Sequence, residues 1–188
     1  MRVLAVLLAA GGGTRFVGPT HKLDSVLGEQ SVFAHALQHL MASGLADIAV
    51  VTGATEREVP AGVALLHNPH WEHGQATSIR CAIDEAERVG ADAVLFGLAD
   101  QPFIDPGAWK LVADAPAEWP IVLATYGTTR GPHPVRLHRS VWALVPSSGD
   151  DGARLVIRDH PELVHTLECP GSADDIDTLE DLQRWTSS

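Results

Sequence analysis

Cysteine is almost missing from this sequence. Its 188 residues hold two, Cys81 and Cys169, which form no CxxC pair and have no close histidine partners. That argues against a thiolate zinc site and against a disulfide scaffold, and predicts reduced thiols in a cytoplasmic protein. Positive charge is also scarce: 13 Lys and Arg stand against 24 Asp and Glu, a formal net charge of −11. Such a balance leaves no broad basic face for wrapping nucleic acid, so no nucleic-acid partner is expected. No apolar run is long enough to span a membrane, so no membrane partner is expected either. The apolar start, Val3 to Ala10, ends in Gly11-Gly12-Gly13-Thr14-Arg15 and reads as a buried strand rather than a leader. What remains is 45% hydrophobic and 20% charged, enough to build a core for one domain over residues 1–188.

Strand and helix patterns alternate. Strands are predicted over Val3–Ala9, Ile48–Thr52, Val63–His67, Ala93–Leu98, Ile121–Tyr126, Pro134–Leu137 and Leu163–Leu167. Helical spacing runs over Ser31–Ala42, Thr77–Val89, Gly107–Ala113 after Pro106, Val141–Val145, Ala153–Arg158 and Leu179–Trp185. This order predicts an α/β layered fold with a mostly parallel sheet and some antiparallel character after residue 120. In such sheets ligands sit beyond the carboxyl ends of the strands, here after Ala9, Thr52, His67 and Leu98.

Roughly twenty residues without periodicity follow the first strand, and a loop of that length in a compact domain is usually functional or disordered. Gly11, Gly12 and Gly13 let the backbone approach a ligand and turn N–H groups toward an anion, while Arg15 and Lys22 add charge. The segment is either a triphosphate cradle or a flexible glycine turn with two solvated cations. It is neither a dinucleotide fingerprint, because Phe16 stands where the third glycine belongs, nor a Walker A loop, because Pro19 and Thr20 follow Gly18.

Asp100, in Ala99-Asp100-Gln101-Pro102, lies just past a buried strand, where it can meet a ligand's magnesium or merely cap a turn. Five carboxylates crowd Asp174–Asp181. Thr178 with Asp181 fits a capping box, and Asp175 and Asp177 alternate so as to face one side of an extended piece. Asn68–Arg80 runs from a strand into a helix whose start, with Gly74, Thr77 and Ser78, can receive a base edge or an anion. His70 and His73 lack a third ligand and read as surface residues. The basic stretch Arg130–Arg139 is either a dock for an anionic acceptor or a solvated loop.

Leu8-Ala9-Ala10-Gly11-Gly12-Gly13-Thr14-Arg15 with Lys22-Leu23 resembles the nucleotidyltransferase family that includes the molybdenum cofactor cytidylyltransferases. Asp100-Gln101-Pro102, Asn68-Pro69-His70-Trp71 through Arg80, Gly149–Arg154 and the Asp175–Leu182 stretch are similar to its other motifs. The resemblance implies a Rossmann-like three-layer fold with a mostly parallel, mixed central sheet. It further implies a magnesium-dependent transfer of CMP from CTP to a molybdopterin-type cofactor with release of pyrophosphate, and a molybdenum hydroxylase as a partner. By the same resemblance Ala9 to Gly13, Gly74, Gln75 and Ser78 bind the nucleotide. Arg15 and Lys22 contact its phosphates, and Asp100 and Asp177 are metal ligands with Asp175 nearby. The small Ala9, Ala10 and Ser78 suit a pyrimidine. Other phosphorylated acceptors (a sugar phosphate, methylerythritol phosphate or phospholactate) and a non-catalytic nucleotide-binding regulator are the alternatives.

Overall fold

The computed structural model describes residues 1–13, 16, 20–127 and 133–186. Strand β1 (Val3–Leu8) places Ala5, Leu7 and Ala9 in one apolar cluster and Leu4, Val6, Leu8 and Ala10 in the other. Both faces of this strand are covered, which is why it reads as a continuous apolar run rather than an alternating one. A short hairpin follows, β2 (Val26–Leu27) and β3 (Gln30–Ser31), and then helix α1 (Val32–Ala42). Ser31 caps that helix by accepting a hydrogen bond from the Ala34 N–H at 3.1 Å.

The remaining elements are β4 (Asp47–Thr52), β5 (Val63–His67), α2 (Gln75–Arg88), β6 (Ala93–Leu98), α3 (Pro106–Ala113), β7 (Ile121–Thr125), β8 (Val135–His138), α4 (Ala153–Asp159), β9 (Val164–Glu168) and α5 (Leu179–Thr186). Seven strands form one sheet in the order β5-β4-β1-β6-β8-β7-β9. Only β8 runs antiparallel to its neighbours, β6 and β7; the other pairings are parallel. Helices α1 and α3 cover one face, around Phe33, Leu37, Trp109 and Val112. Helices α2 and α4 cover the other, around Ile79, Ile83 and Val156. The result is the mixed, mostly parallel α/β architecture that the sequence pattern predicts, with the three layers that the resemblance implies.

Two local expectations differ. The long segment after β1 contains a 3-10 turn, Lys22–Asp24, and the β2–β3 hairpin, so part of it is regular structure. Residues Arg139–Leu144 form 3-10 rather than α-helical turns. No helix among the described residues is long and apolar enough to cross a membrane.

The chain leaves β1 for β4 and β5 on one side, then returns to β6 on the other. The strand order therefore switches direction at β1, opening a crevice beyond the carboxyl ends of β1 and β6, where open α/β sheets bind ligands.

Candidate active site

A cleft of about 610 Å³ occupies that crevice. Its floor is Leu8, Ala9 and Ala10 from the end of β1, with Gly11, Gly12 and Gly13 along one wall. Backbone bonds from Ala9 N to Val51 O (2.8 Å) and from Ala54 N to Ala10 O (3.0 Å) tie the start of the loop to β4. A Cβ on Gly11 would meet nothing within 4 Å, so this glycine faces open space inside the cleft. Gly13 has φ +61°, a left-handed backbone that favours glycine, and packs against His21.

The opposite wall is the start of α2, where Gly74, Gln75 and Ser78 line the cleft with Trp71 and Glu72. Asn68 sets its geometry. The Asn68 amide donates to Thr77 Oγ1 at 2.8 Å and Ser78 Oγ at 3.0 Å, and its oxygen accepts from the His70 N–H at 2.9 Å. Gly74 has φ +97°, and a Cβ there would lie 2.3 Å from the Gly149 carbonyl carbon. Glycine is thus needed for the close approach of the 149–152 loop, which brings Asp150 and Arg154 to the cleft. His70 and His73 are exposed and stack on each other at 5.9 Å, away from any third ligand in the described residues.

Three charged residues from distant segments meet at the cleft's end. The Lys22 ammonium lies 2.5 Å from Asp100 Oδ2 and 3.0 Å from Asp177 Oδ1. The Lys22 and Asp100 side chains are mostly buried, at 14% and 18% exposure. Burial pushes the Lys22 pKa down, but Asp100 and then Asp177 outweigh it, leaving the ammonium held above its ordinary value. Asp100 Oδ1 is buried without a hydrogen-bond partner. A buried carboxylate oxygen left unpaired is costly, so it marks a place where a cation fits.

The segment carrying Asp177 is held in register by the turn after β6. Ile176 N donates to Asp100 O at 2.9 Å. The buried Gln101 amide donates to Ala173 O at 3.1 Å and to Asp175 Oδ1 at 2.6 Å. Ile176 is fully buried while Asp175 and Asp177 both line the cleft, the alternation that the sequence predicts. Desolvation of the Asp175 carboxyl, then the charge of Asp100, pushes its pKa up to about 6; the Gln101 bond works against that rise. Thr178 and Asp181 form the predicted capping box, with Thr178 N–H on Asp181 Oδ2 at 2.9 Å and Asp181 N–H on Thr178 Oγ1 at 3.1 Å.

Of the residues singled out in sequence, Ala9 to Gly13, Lys22, Gly74, Gln75, Ser78, Asp100 and Asp177 all line this cleft. Arg15 lies outside the described residues, as does Arg130. Sequence reasoning gave no part to Gln101, Trp71 or Glu72, although all three stand inside motifs it quoted. Arg136 is a correction. Within the stretch read as an acceptor dock or a solvated loop, its side chain is fully buried and donates to the carbonyls of Ala113, Ala115, Pro116 and Trp119. Strand alternation explains it: Val135 and Leu137 face the α2 side, so Arg136 faces α3 and its carboxyl end.

Comparison with known proteins identifies a family and a fold. The family model described as MobA-like NTP transferase domain matches residues 5–164. The chain is 28% identical over 199 residues to nicotine blue oxidoreductase of Paenarthrobacter nicotinovorans, covering 97% of this chain and 95% of that one. Its fold is similar to that of Rv0371c from Mycobacterium tuberculosis H37Rv, with a TM-score of 0.81, 23% identity, and coverage of 100% of this chain and 98% of the other. A structure of Rv0371c in complex with manganese superposes with a TM-score of 0.79 at 22% identity, covering both chains fully.

Proposed function

The chain belongs to the MobA-like NTP transferase domain family, and on that footing we propose that it transfers a nucleoside monophosphate from a triphosphate to a small phosphorylated acceptor. CTP is the proposed donor and a molybdopterin-type molybdenum cofactor the proposed acceptor. The observation that carries the reading is the convergence of Lys22, Asp100 and Asp177 beside the glycine loop at the sheet's switch point.

An acceptor phosphate oxygen attacks the α-phosphorus in line. The new O–P bond forms as the bond to the bridging oxygen breaks, and pyrophosphate leaves. The nucleophile is already ionised, so no proton has to move, and the protein's task is positioning and charge stabilisation. The backbone at Gly11–Gly13 receives the phosphates, with Arg15 as a further cation. Ala9, Ala10 and Ser78 leave room for a pyrimidine. Lys22 stabilises charge on the transferring and leaving phosphates. The donor set suits magnesium, which takes one or two carboxylates and completes its shell with water and phosphate oxygens. Asp100, with its unpartnered Oδ1, and Asp177 would hold it. Among the described residues no cluster of three or more His, Cys, Asp or Glu offers a full protein cage. When bound, the ion neutralises triphosphate charge and polarises the α-phosphorus. The manganese in the Rv0371c complex supports a divalent ion in this fold.

A second reading rests on the full-length likeness to a protein named an oxidoreductase. There the same cleft would serve an oxidation–reduction, with NADH and NADPH as probes of the electron donor, although the loop lacks the third glycine of a dinucleotide fingerprint. One experiment separates the two. The protein is titrated with CTP, GTP, ATP, UTP, NADH and NADPH, with and without magnesium, and pyrophosphate release is followed with candidate acceptors. Metal-dependent CTP binding and acceptor-dependent pyrophosphate release are expected. A GTP preference would remove the cytidylyl assignment. Metal-independent dinucleotide binding without pyrophosphate release would replace transfer with the redox reading.

A further inference from the structure

The turn that carries Lys22, Lys22–Asp24, is three residues long and follows a loop; buried Leu23 anchors it to the core. Further contacts set how it presents the ammonium to the two carboxylates. The residues flanking the turn supply them. His21 caps it, with Nδ1 accepting from the Leu23 N–H at 3.2 Å. The same Nδ1 faces Arg57 Nη2 at 3.2 Å. Both neighbours are donors, so Nδ1 is the acceptor nitrogen and the ring proton sits on Nε2. Nε2 then donates to Gly11 O at 3.1 Å. A Cβ on Gly13 would come within 3.0 Å of that nitrogen, so the third glycine of the loop packs directly on the ring. One imidazole joins the glycine loop to the turn that carries Lys22.

Arg57 closes the arrangement from outside. Its guanidinium holds His21 on one side of the turn and Asp24 Oδ1, at 2.6 Å, on the other. It also donates to Thr55 Oγ1 at 3.1 Å and lies 4.9 Å over the Phe33 ring of α1. The Arg57 side chain is 5% exposed. A planar, multiply anchored guanidinium gives up little further freedom in each bond it makes, which suits it to spanning both ends of a turn. Neither His21 nor Arg57 lines the cleft.

We propose that Arg57 and His21 are positioning residues for the transfer site: Arg57 clamps both flanks of the Lys22 turn, and His21 couples that turn to the phosphate-binding glycine loop. The catalytic consequence rests on the function proposed above; the positional claim does not.

The test uses the whole protein and separates the two. The chain has two lysines, Lys22 and Lys110, so selective ¹⁵N-lysine labelling reports on two ammonium groups. Lys110 is 61% exposed. Lys22, hydrogen-bonded between Asp100 and Asp177, should give a protected ammonium resonance, assigned by its loss in Lys22→Met. In Arg57→Met, which keeps bulk over Phe33 but removes the donors, that resonance should vanish, while Arg57→Lys should restore it in part. Should Arg57→Met not fold, His21→Phe carries the same measurement. A protected Lys22 signal that survives the change overturns the proposal, whether or not the protein transfers nucleotides.

Kinetics then read the consequence. Arg57→Met should lower kcat by about tenfold or more with a smaller change in nucleotide KM, because misplaced charge is felt mainly in the transition state. His21→Phe should also weaken equilibrium nucleotide binding, because it frees Gly11 as well. A folded Arg57→Met with normal kcat and KM would make the clamp merely structural. Loss of the resonance in Arg57→Met, together with a wild type that releases no pyrophosphate with any acceptor, would sink the transfer reading and leave the clamp standing.

Discussion

Lys22 and Arg136 are both cations taken largely out of water, and they are buried in opposite ways. Lys22 faces two carboxylates and no carbonyl cage. Arg136 faces four backbone carbonyls at and beyond the carboxyl end of α3 and is hydrogen-bonded to no carboxylate among the described residues, although the Glu118 charge acts on it. The Arg136 setting is in part a helix-end cap: the Ala113 carbonyl that closes α3 and the carbonyls of Ala115, Pro116 and Trp119 after it receive a fixed guanidinium, Pro116 O also accepting from the Trp119 N–H. Burial still lowers the Arg136 pKa, whereas the carboxylates raise that of Lys22. Asp100 keeps one buried oxygen unpaired even with Lys22 in place. Arg136 also keeps one buried atom unpaired, its Nε, so the two sites differ in what is left over: a donor in the carbonyl cage, and beside Lys22 a carboxylate oxygen that can take a cation.

The largest effect expected of this contrast is at Lys22. Lys22→Met should lower turnover by on the order of 10²–10³-fold if the ammonium stabilises phosphate charge in the transition state. The same change should let the nucleotide-free protein bind Mn²⁺ more tightly, because the ammonium no longer competes for Asp100 and Asp177. Electron paramagnetic titration of free Mn²⁺ reads the second effect without any turnover. Weaker metal binding in Lys22→Met would show that the lysine organises the carboxylates instead of occupying their site.

Asp177→Asn comes next. It keeps the shape and removes the charge, so the fold should persist while activity needs far more magnesium. Asp175→Asn should do less, since that carboxyl is engaged by Gln101, whereas Asp177 is hydrogen-bonded to Lys22. Pyrophosphate release against magnesium concentration checks both. If Asp175→Asn is the inactive variant and Asp177→Asn is normal, the metal-binding alternation is reversed.

Arg136→Met should reverse the pattern seen at Lys22. Stability should drop by roughly 2–4 kcal/mol, because several buried carbonyls lose their donor at once. Turnover per folded molecule should stay near that of the wild type. Urea unfolding monitored by circular dichroism, together with kcat at a temperature where the variant is folded, checks this. Unchanged stability would mean that the carbonyls find water.

How far the sequence disclosed these two environments differs between them. The strands were legible because apolar runs bounded by glycines have few other solutions. Asp100 was legible because it follows such a strand. Asp177 was harder: five carboxylates stand within Asp174–Asp181, and only the resemblance picked it out, although the burial of Ile176 gives a physical reason for its direction. Arg136 was open to misreading because charge near Gly and Pro suggests a loop. The deciding fact, alternation within a four-residue strand beneath α3, depends on contacts 17 to 23 residues away. The clamp of His21 by Arg57, 36 residues apart, left no local pattern at all. Periodicity reports which face is buried but not which partner waits there.

His133 gives the smallest of these effects and tests the rule from a third direction. It is 4% exposed, packs 5.9 Å from the Phe96 ring, and has a buried Nδ1 without a partner. Among the described residues it has neither the carboxylates of Lys22 nor the carbonyl cage of Arg136. Burial, with Arg154 second, lowers its pKa to about 3. A base with nothing to compensate its charge should therefore stay neutral. The unfolded chain, with an ordinary histidine pKa near 6.5, takes up the proton first. Stability from this group is present in full above pH 6.5 and is lost as pH falls toward 3, the sign expected when the unfolded state binds more protons. Near pH 5 the loss should be about 2 kcal/mol relative to pH 7. His133→Gln, polar but without a titrating ring, should be less stable than wild type at pH 7 yet lose less between pH 7 and 5. Urea midpoints at half-unit pH steps decide the matter. Parallel curves for the two proteins would mean that the folded protein accommodates a charged His133, and that burial without a counter-charge does not keep this base neutral.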